Sequence, residues 1–269
     1  MTDAGLTAAV VSDAPAAARK RVVLAGRLLL ALLLVLGWEL GARTLGVAFF
    51  APPLDVAVRI VALARSGQLA ADVASTLRVS ALGFAIACVA GVLLPFLLRR
   101  SPAAVEPYIM ASMGIPKYAL APWLILWFGI GDLPKLVVVT LMVFYIIFIT
   151  TTAGIRAVDQ RLIAMARVAG AGETAIAREI IWKSLLPFFF TGLKVALPRA
   201  VSATIVGEFL VATQGVGHYI EHSRQVADTV GVFAGIVIAM VLVLAINAVV
   251  NVIERRALAW RPVEREMEL

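Results

Sequence analysis

Long uninterrupted runs of apolar residues constrain this chain more than any other feature. Residues 230–253 form one such run and contain no ionisable side chain. A helix needs about 20 predominantly apolar residues to cross the hydrocarbon core of a bilayer. Hydrophobic types make up 62% of the 269 residues and charged types only 15%, whereas soluble domains contain about 25% charged residues. The chain is therefore predicted to be an integral membrane protein.

Five further runs have a similar length and character. They are residues 28–46, 77–98, 108–131, 136–152 and 185–213. The first run follows Arg19, Lys20, Arg21 and Arg27, so a signal peptide is the alternative interpretation of it. It is longer than a typical signal-peptide core and no clear cleavage site follows, which favours a retained span. The sequence thus predicts an all-α protein with six transmembrane helices, the third of them bent at Pro116 and Pro122.

The segments outside the runs complete the predicted organisation. Residues 1–18 are rich in small and polar types and predict a disordered tail, and residues 258–269 predict a cytoplasmic C-terminal tail. Residues 19–257 form the six-span domain. The stretch 54–69 is too short and too charged to span, so we expect a helix on the membrane surface or at the periphery.

The distribution of basic residues predicts the orientation. Six spans place both termini on one side, and basic residues accumulate in cytoplasmic segments. With the N-terminus inside, the cytoplasmic side holds 15 basic residues: Arg19, Lys20, Arg21, Arg27, Arg99, Arg100, Arg156, Arg161, Arg167, Arg178, Lys183, Arg255, Arg256, Arg261 and Arg265. The outside holds five: Arg43, Arg59, Arg65, Lys135 and Arg224. The net charge of +7 is therefore a topology signal, and we expect no nucleic-acid partner.

The longest cytoplasmic loop, residues 156–184, is patterned. Asp159 is placed to cap the N-terminus of a helix, and Leu162, Ile163, Met165, Ala166 and Ala169 then form an apolar stripe. Gly170 and Gly172 are suited to end that helix and turn the chain. A second stretch, 173–183, carries isoleucines at helical spacing. Two short amphipathic helices joined by a glycine elbow suit a groove on a soluble partner.

This loop resembles the EAA loop of ABC importer permeases, whose pattern is E-A-A-x3-G-x9-I-x-L-P. With Gly170 on the motif glycine, Ala166 and Ile180 match, whereas Ala164 replaces the leading glutamate and Trp182-Lys183 replaces Leu-Pro. The resemblance implies that the loop is the coupling helix gripped by an ATPase subunit. The residues assigned to this contact are Asp159, Ala166, Arg167, Gly170, Ala171, Gly172 and Ile180.

Other motifs resemble the nitrate, sulfonate and taurine group of these permeases. They are IPKYALAP at 115–122, LWFGIG at 126–131, WEL at 38–40, residues 53–56, the 75–84 stretch, and Glu208 followed by Gly215, Gly217 and Tyr219. The resemblance covers residues 38–256 in order. It implies a type I importer permease fold in a bacterial inner membrane, with the coupling helix between spans four and five. It also implies an external solute-binding protein and a substrate that is a small organic or inorganic anion or a vitamin precursor.

Ionisable and aromatic residues within the spans are candidates for the translocation path, because charges there are costly. We assign Lys117, Trp127 and Glu208 to it. Each has an alternative: Lys117 extends to a watery boundary, Trp127 joins an interfacial belt, and Glu208 pairs with Lys194 or Arg199. His218 and His222 lie four apart, but no third ligand is evident, so no metal site is predicted.

No phosphate-binding G-x4-G-K-[ST] loop and no nucleophile–base set occur in the sequence. The chain is thus predicted to be no enzyme, to hold no cofactor and to depend on a separate ATPase. Two permease copies and two ATPase copies are the simplest assembly, with the path on the two-fold axis. The alternatives are a secondary transporter, a membrane-embedded enzyme, and a scaffold that docks a soluble protein without transporting.

Overall fold

The structure, a computed structural model, describes residues 16–46, 48–99, 106–211 and 213–257. Every regular element in these ranges is helical. The elements are α1 (Ala16–Leu45), α2 (Pro53–Ser66), α3 (Gln68–Leu98), α4 (Glu106–Ser112), a 3₁₀ turn (Lys117–Leu120), α5 (Ala121–Phe128), α6 (Asp132–Arg156), α7 (Gln160–Val168), α8 (Glu173–Ile176), a π-helical turn (Ala177–Ile181), α9 (Trp182–Val211), α10 (Val216–Gln225) and α11 (Thr229–Ala257).

The described residues contain five helices that are long and apolar enough to cross a membrane, and a sixth span if α4 and the Lys117–Phe128 segment are taken together. This pair is bent by 80°. The bend precedes Pro116, whereas Pro122 lies in the first turn of α5, where its missing N–H costs nothing. Pro116 lies in this break, so the predicted bend there is present, whereas Pro122 is the second residue of α5.

The core of the bundle is formed by α3, α6 and α9. Small residues recur every fourth position along α3, at Gly83, Ala87 and Gly91, and this spacing brings them onto one face. A Cβ atom at Gly91 would lie 2.9 Å from Ile147 Cβ of α6, so only glycine permits this approach. Because lipid supplies no hydrophobic drive, close backbone packing of small residues holds such helices together.

The peripheral helices are attached by fewer contacts. The indole of Trp38 in α1 donates a hydrogen bond of 2.8 Å to Ala51 O, and α2 buries Val56 and Leu63 against α3 and α11. The α2 helix is the element expected at 54–69. Residues 16–18, expected in the N-terminal tail, are already helical, while the rest of that tail and the C-terminal tail lie outside the described residues.

Candidate functional site: the loop helix and the polar end of the bundle

The helix α7 has well-defined signals at both ends. The Asp159 side chain accepts a 2.8 Å hydrogen bond from Arg161 N, the expected N-cap. At the other end, Ala171 N donates to Ala166 O at 2.9 Å and Gly170 N donates to Arg167 O at 3.0 Å. These two bonds form a Schellman motif, which requires a left-handed residue at its turn. Gly170 has φ +82°, so the predicted glycine elbow is present.

One face of α7 packs against the ends of the spans. Ile163 is buried with Val158, Ile176 and Ile181, and this cluster also contacts Phe96 of α3. Ala166, Ala171 and Ile180 lie at its edge and are half-buried. The sequence assigned these three residues to the ATPase contact. In the structure they pack against the buried cluster on the side of α7 that faces the bundle.

The opposite face of α7 carries apolar side chains in the open. Leu162, Met165 and Val168 are 49%, 68% and 91% exposed. We call these three residues the α7 patch. They lie at the end of the bundle where α6 ends and α8 begins, which we call the loop end. Exposed apolar patches mark protein–protein or membrane interaction sites or ligand-binding grooves.

The second half of the loop differs from its prediction. Residues 173–183 were expected to form a separate short helix, but α8, the π turn and α9 make one candidate span, Glu173–Val211, of 39 residues. A π turn inserts one extra residue in the helical repeat, and this leaves Ile181 facing the buried cluster. The loop is thus one separate helix, α7, followed by an extended span.

The charges of the loop pair with each other. Arg167 lies 3.0 Å from Glu173 across the elbow, and Arg178 lies 3.8 Å from Glu179. Gly172 forms the N-cap of α8 with φ −71°, a conformation open to any residue. The ion pair between Arg167 and Glu173 connects the two sides of the elbow on its solvent-exposed surface.

Lys117 occupies the break in the third span. Its ammonium donates to Met113 O at 2.6 Å and to Ile115 O at 3.2 Å, and it lies 4.6 Å from the ring centroid of Tyr145. The Tyr145 hydroxyl is 2.8 Å from Ser112 Oγ. Carbonyl groups at a helix end lack helical partners, so Lys117 satisfies the acceptors that the break exposes.

Trp127 lies on α5 and is exposed, as is Trp123 one turn earlier. The two indoles meet edge to face, with ring centroids 5.8 Å apart. This placement is compatible with an interfacial belt, with a contact to another subunit and with the predicted path.

Glu208 is placed at the other end of the bundle, which we call the α10 end, and is only 1% exposed. Its carboxyl oxygens accept hydrogen bonds from Thr76 Oγ1 at 2.9 and 3.0 Å and from Gly217 N at 2.8 Å. The proposed pairing with Lys194 is wrong, because Lys194 lies 3.0 Å from Glu254 of α11. No hydrogen bond or ion pair joins Glu208 to Arg199 in the described structure either. The buried network favours a structural role for Glu208.

Side chains from α3 and α9 cap the N-terminus of α10. Val216 N donates to Thr76 Oγ1 at 3.0 Å, and Gly215 N donates to Asp72 Oδ1 at 3.1 Å. Since the first N–H groups of a helix lack helical acceptors, these contacts replace a local cap. A Cβ atom at Gly215 would lie 2.2 Å from Glu208 Oε1, which explains the glycine at that position.

Sequence reasoning missed several members of this network. Ser80 Oγ lies 2.8 Å from Thr204 Oγ1, and both residues are buried. Lys135, counted among the outside charges, is 3% exposed and lies 2.7 Å from Asp132. A signal was present: Thr76 and Ser80 on α3, like Thr204 and Glu208 on α9, are polar residues four apart on otherwise apolar spans.

A cavity of about 360 Å³ opens at the α10 end. His218 and His222 line it together with Ile125, Ile130 and Phe209. Glu221, between the histidines, accepts hydrogen bonds from Arg224 and Gln225, and these bonds lower the pKa of its carboxyl to about 2. The carboxylate is therefore paired with Arg224.

Comparison with known proteins agrees with this architecture. A family model described as "Binding-protein-dependent transport system inner membrane component" matches residues 81–258. The formylaminopyrimidine transport permease protein ThiX of Halalkalibacterium halodurans is 33% identical over 86% of this chain and 93% of its own length. The Bacillus subtilis protein SsuC, named for the transport of aliphatic sulfonates, is 29% identical over 90% of both chains.

Solved structures show the same fold. A chain of the inward-facing MetNI methionine ABC transporter superimposes with a TM-score of 0.58 and 20% sequence identity, covering 70% of this chain and 94% of that one. The fold is that of a type I ABC importer permease. On the family match and the identity to ThiX, this chain belongs to the binding-protein-dependent transport system inner membrane components and is a permease subunit of an ABC importer.

Proposed function

We propose that this permease forms half of a translocation path for a small anion and that the α7 patch engages a separate ATPase subunit. The observation that carries the ATPase contact is the exposure of three apolar side chains on a helix that is capped at both ends. The Asp159 cap, the Schellman turn and the buried Ile163 hold α7 against the bundle. Full burial of a Leu, Met or Val side chain is worth about 1.5–3 kcal/mol, so burial of the patch would contribute to such a contact.

The substrate class rests on two supporting observations. SsuC, a relative over nearly the whole chain, is named for sulfonates, and basic residues recur in the spans of this chain. ThiX, named for formylaminopyrimidine, favours a vitamin precursor as the second candidate. We prefer the anion, because an intramembrane cation is retained at a cost and is typical of a substrate or ion pathway.

We further propose that two copies of the permease meet on a two-fold axis, with two ATPase subunits at the loop end. A closed two-fold assembly gives each ATPase one α7 patch. A solute-binding protein delivers substrate to the α10 end, where the histidine-lined cavity opens. The loop end is then cytoplasmic, as the excess of basic residues predicts.

The orientation has a direct test. A reporter that is active only in the cytoplasm, fused after Arg261, should be active, because the C-terminus is predicted inside. The same reporter fused near Arg65, in the last turn of α2, should be silent. The reverse pattern would overturn the orientation and move the α7 patch away from any cytoplasmic ATPase.

The ATPase contact is tested by co-purification. The isolated permease should hydrolyse no ATP above background, and co-expression with its ATPase should give a complex with two copies of each subunit. Val168→Asp places a charge in the α7 patch and should reduce recovery of the ATPase at least about tenfold, the equivalent of 1.4 kcal/mol. Val226→Asp is the matched control, because this valine is 60% exposed at the α10 end. Equal recovery with both variants would contradict the proposed contact.

A further inference from the structure

Arg199 differs from the other basic residues of the spans. Within the described part of the chain its side chain is exposed and makes no hydrogen bond or ion pair. By contrast, Lys135 lies against Asp132, Lys194 against Glu254, and the Lys117 ammonium on two carbonyls. Arg78 also pairs with Asp132. Arg199 therefore places a charge in a membrane-spanning helix, and its guanidinium N–H donors have no acceptor in the described part of the chain.

Its depth makes this exposure costly. Arg199 precedes the end of α9 at Val211 by roughly 18 Å at 1.5 Å per residue, which is well inside a core about 30 Å thick. An arginine remains protonated in proteins, and its insertion at a helix centre is costly. Such residues face the interior of a bundle or a water-filled cavity.

The surroundings of Arg199 lead independently to the same conclusion. Tyr118, on the 3₁₀ turn after the break in the third span, lies within electrostatic range of Arg199. The backbone around this break is not α-helical between Ser112 and Ala121. Irregular backbone at membrane depth is tolerated only where it is buried in protein or lines a water-filled cavity. An unpaired cation and a broken helix thus share one side of the bundle.

We propose that Arg199 lines the translocation path and provides the positive charge that attracts and orients an anionic substrate. This inference rests on the proposed function and deepens it, since it replaces Lys117 with Arg199 as the anion-contacting cation. A guanidinium presents a planar set of donors that binds two oxygens of a sulfonate, carboxylate or phosphate group at once. Two permease copies would place two such groups across the path, which favours small oxyanions over neutral or cationic solutes.

The test uses charged thiol reagents and needs no knowledge of the substrate. Cys88 is the only cysteine of the chain, so Cys88→Ala gives a background without thiols. Val195→Cys then places a thiol one turn before Arg199 on the same face of α9, at a position that is 52% exposed. Membranes containing the full importer are treated with anionic ethylsulfonate and cationic trimethylammonium methanethiosulfonates, and the two labelling rates are compared.

We expect both reagents to react, because the position faces water. Replacing Arg199 by glutamine should lower the ratio of anionic to cationic labelling at least about fivefold, since one unit charge at this range is worth about 1 kcal/mol. Arg199→Lys keeps the charge and should keep the ratio. Absence of labelling would place Val195 and Arg199 towards lipid, and an unchanged ratio in the glutamine variant would show that the charge acts elsewhere. Either result overturns the inference.

The outcome is separable from that of the proposed function. Recovery of the ATPase with the permease, measured on the same membranes, reports the subunit contact at α7 and does not depend on Arg199. Normal recovery with an unchanged labelling ratio would remove only the assignment of Arg199. Failure to recover the ATPase with the unsubstituted permease would contradict the proposed function itself. The membrane level of each variant is measured alongside, to exclude a folding defect.

Discussion

Replacing Gly170 by leucine should abolish transport while the permease still inserts and folds. Gly170 has φ +82°, and a left-handed backbone costs an L-residue about 1–2 kcal/mol. The Schellman bonds at this turn fix the direction in which α7 leaves the elbow, so a shifted turn moves the α7 patch. The spans should be unaffected, because their backbone bonds are satisfied within each helix. Uptake, ATPase recovery and membrane level are measured together.

Two companion variants separate backbone strain from bulk and position. Gly170→Asn should retain most of the transport, since asparagine tolerates the left-handed conformation. Gly67→Leu is the matched control at the α10 end: Gly67 has φ +80° and, like Gly170, no atom within 4 Å of an added Cβ. We expect a similar loss of stability there but normal coupling. Normal uptake by Gly170→Leu would reduce the loop to a connector.

Replacing Glu208 by alanine should have the largest effect on stability. The change leaves the Thr76 hydroxyl and Gly217 N–H without their buried acceptor, and each orphaned buried donor costs about 1–3 kcal/mol. It also empties space beneath the N-terminus of α10. Against a typical total of about 5–15 kcal/mol, we expect little permease in the membrane and a thermal unfolding midpoint lowered by many degrees.

Controls for Glu208 are available in the same region. Glu208→Gln keeps one carbonyl acceptor and the shape of the side chain, so its loss should be intermediate. Glu221→Ala removes a carboxylate nearby on α10 whose partner, Arg224, is 66% exposed, and a surface pair is worth only about 0–1 kcal/mol. Thermal unfolding of the purified variants ranks the three. Equal midpoints for Glu208→Ala and Glu221→Ala would mean that the buried network contributes nothing.

The prediction of Lys117 as a path residue shows what the sequence did not provide, namely the tertiary contacts of the side chain. A lysine within an apolar run is a candidate for substrate contact on composition alone. The structure brings its ammonium to the carbonyls of a broken helix and over Tyr145. Pro116 predicts the break, but neither the contact of the lysine with these carbonyls nor the distant ring can be read from the local sequence. Contact between Lys117 and substrate stays a prediction, but its donors already have partners.

What the sequence determined by itself is local in physical origin. Span lengths follow from the number of consecutive apolar residues, and the ends of α7 follow from Asp159 and Gly170, whose effects reach only a few residues along the chain. The tertiary structure alone decided which polar side chains are satisfied. Thr76 and Glu208 are 132 residues apart, and Lys194 meets Glu254 on another helix. Arg199 is left exposed by the same packing, because the rotation and neighbours of each helix are set by contacts between spans that no short sequence pattern records.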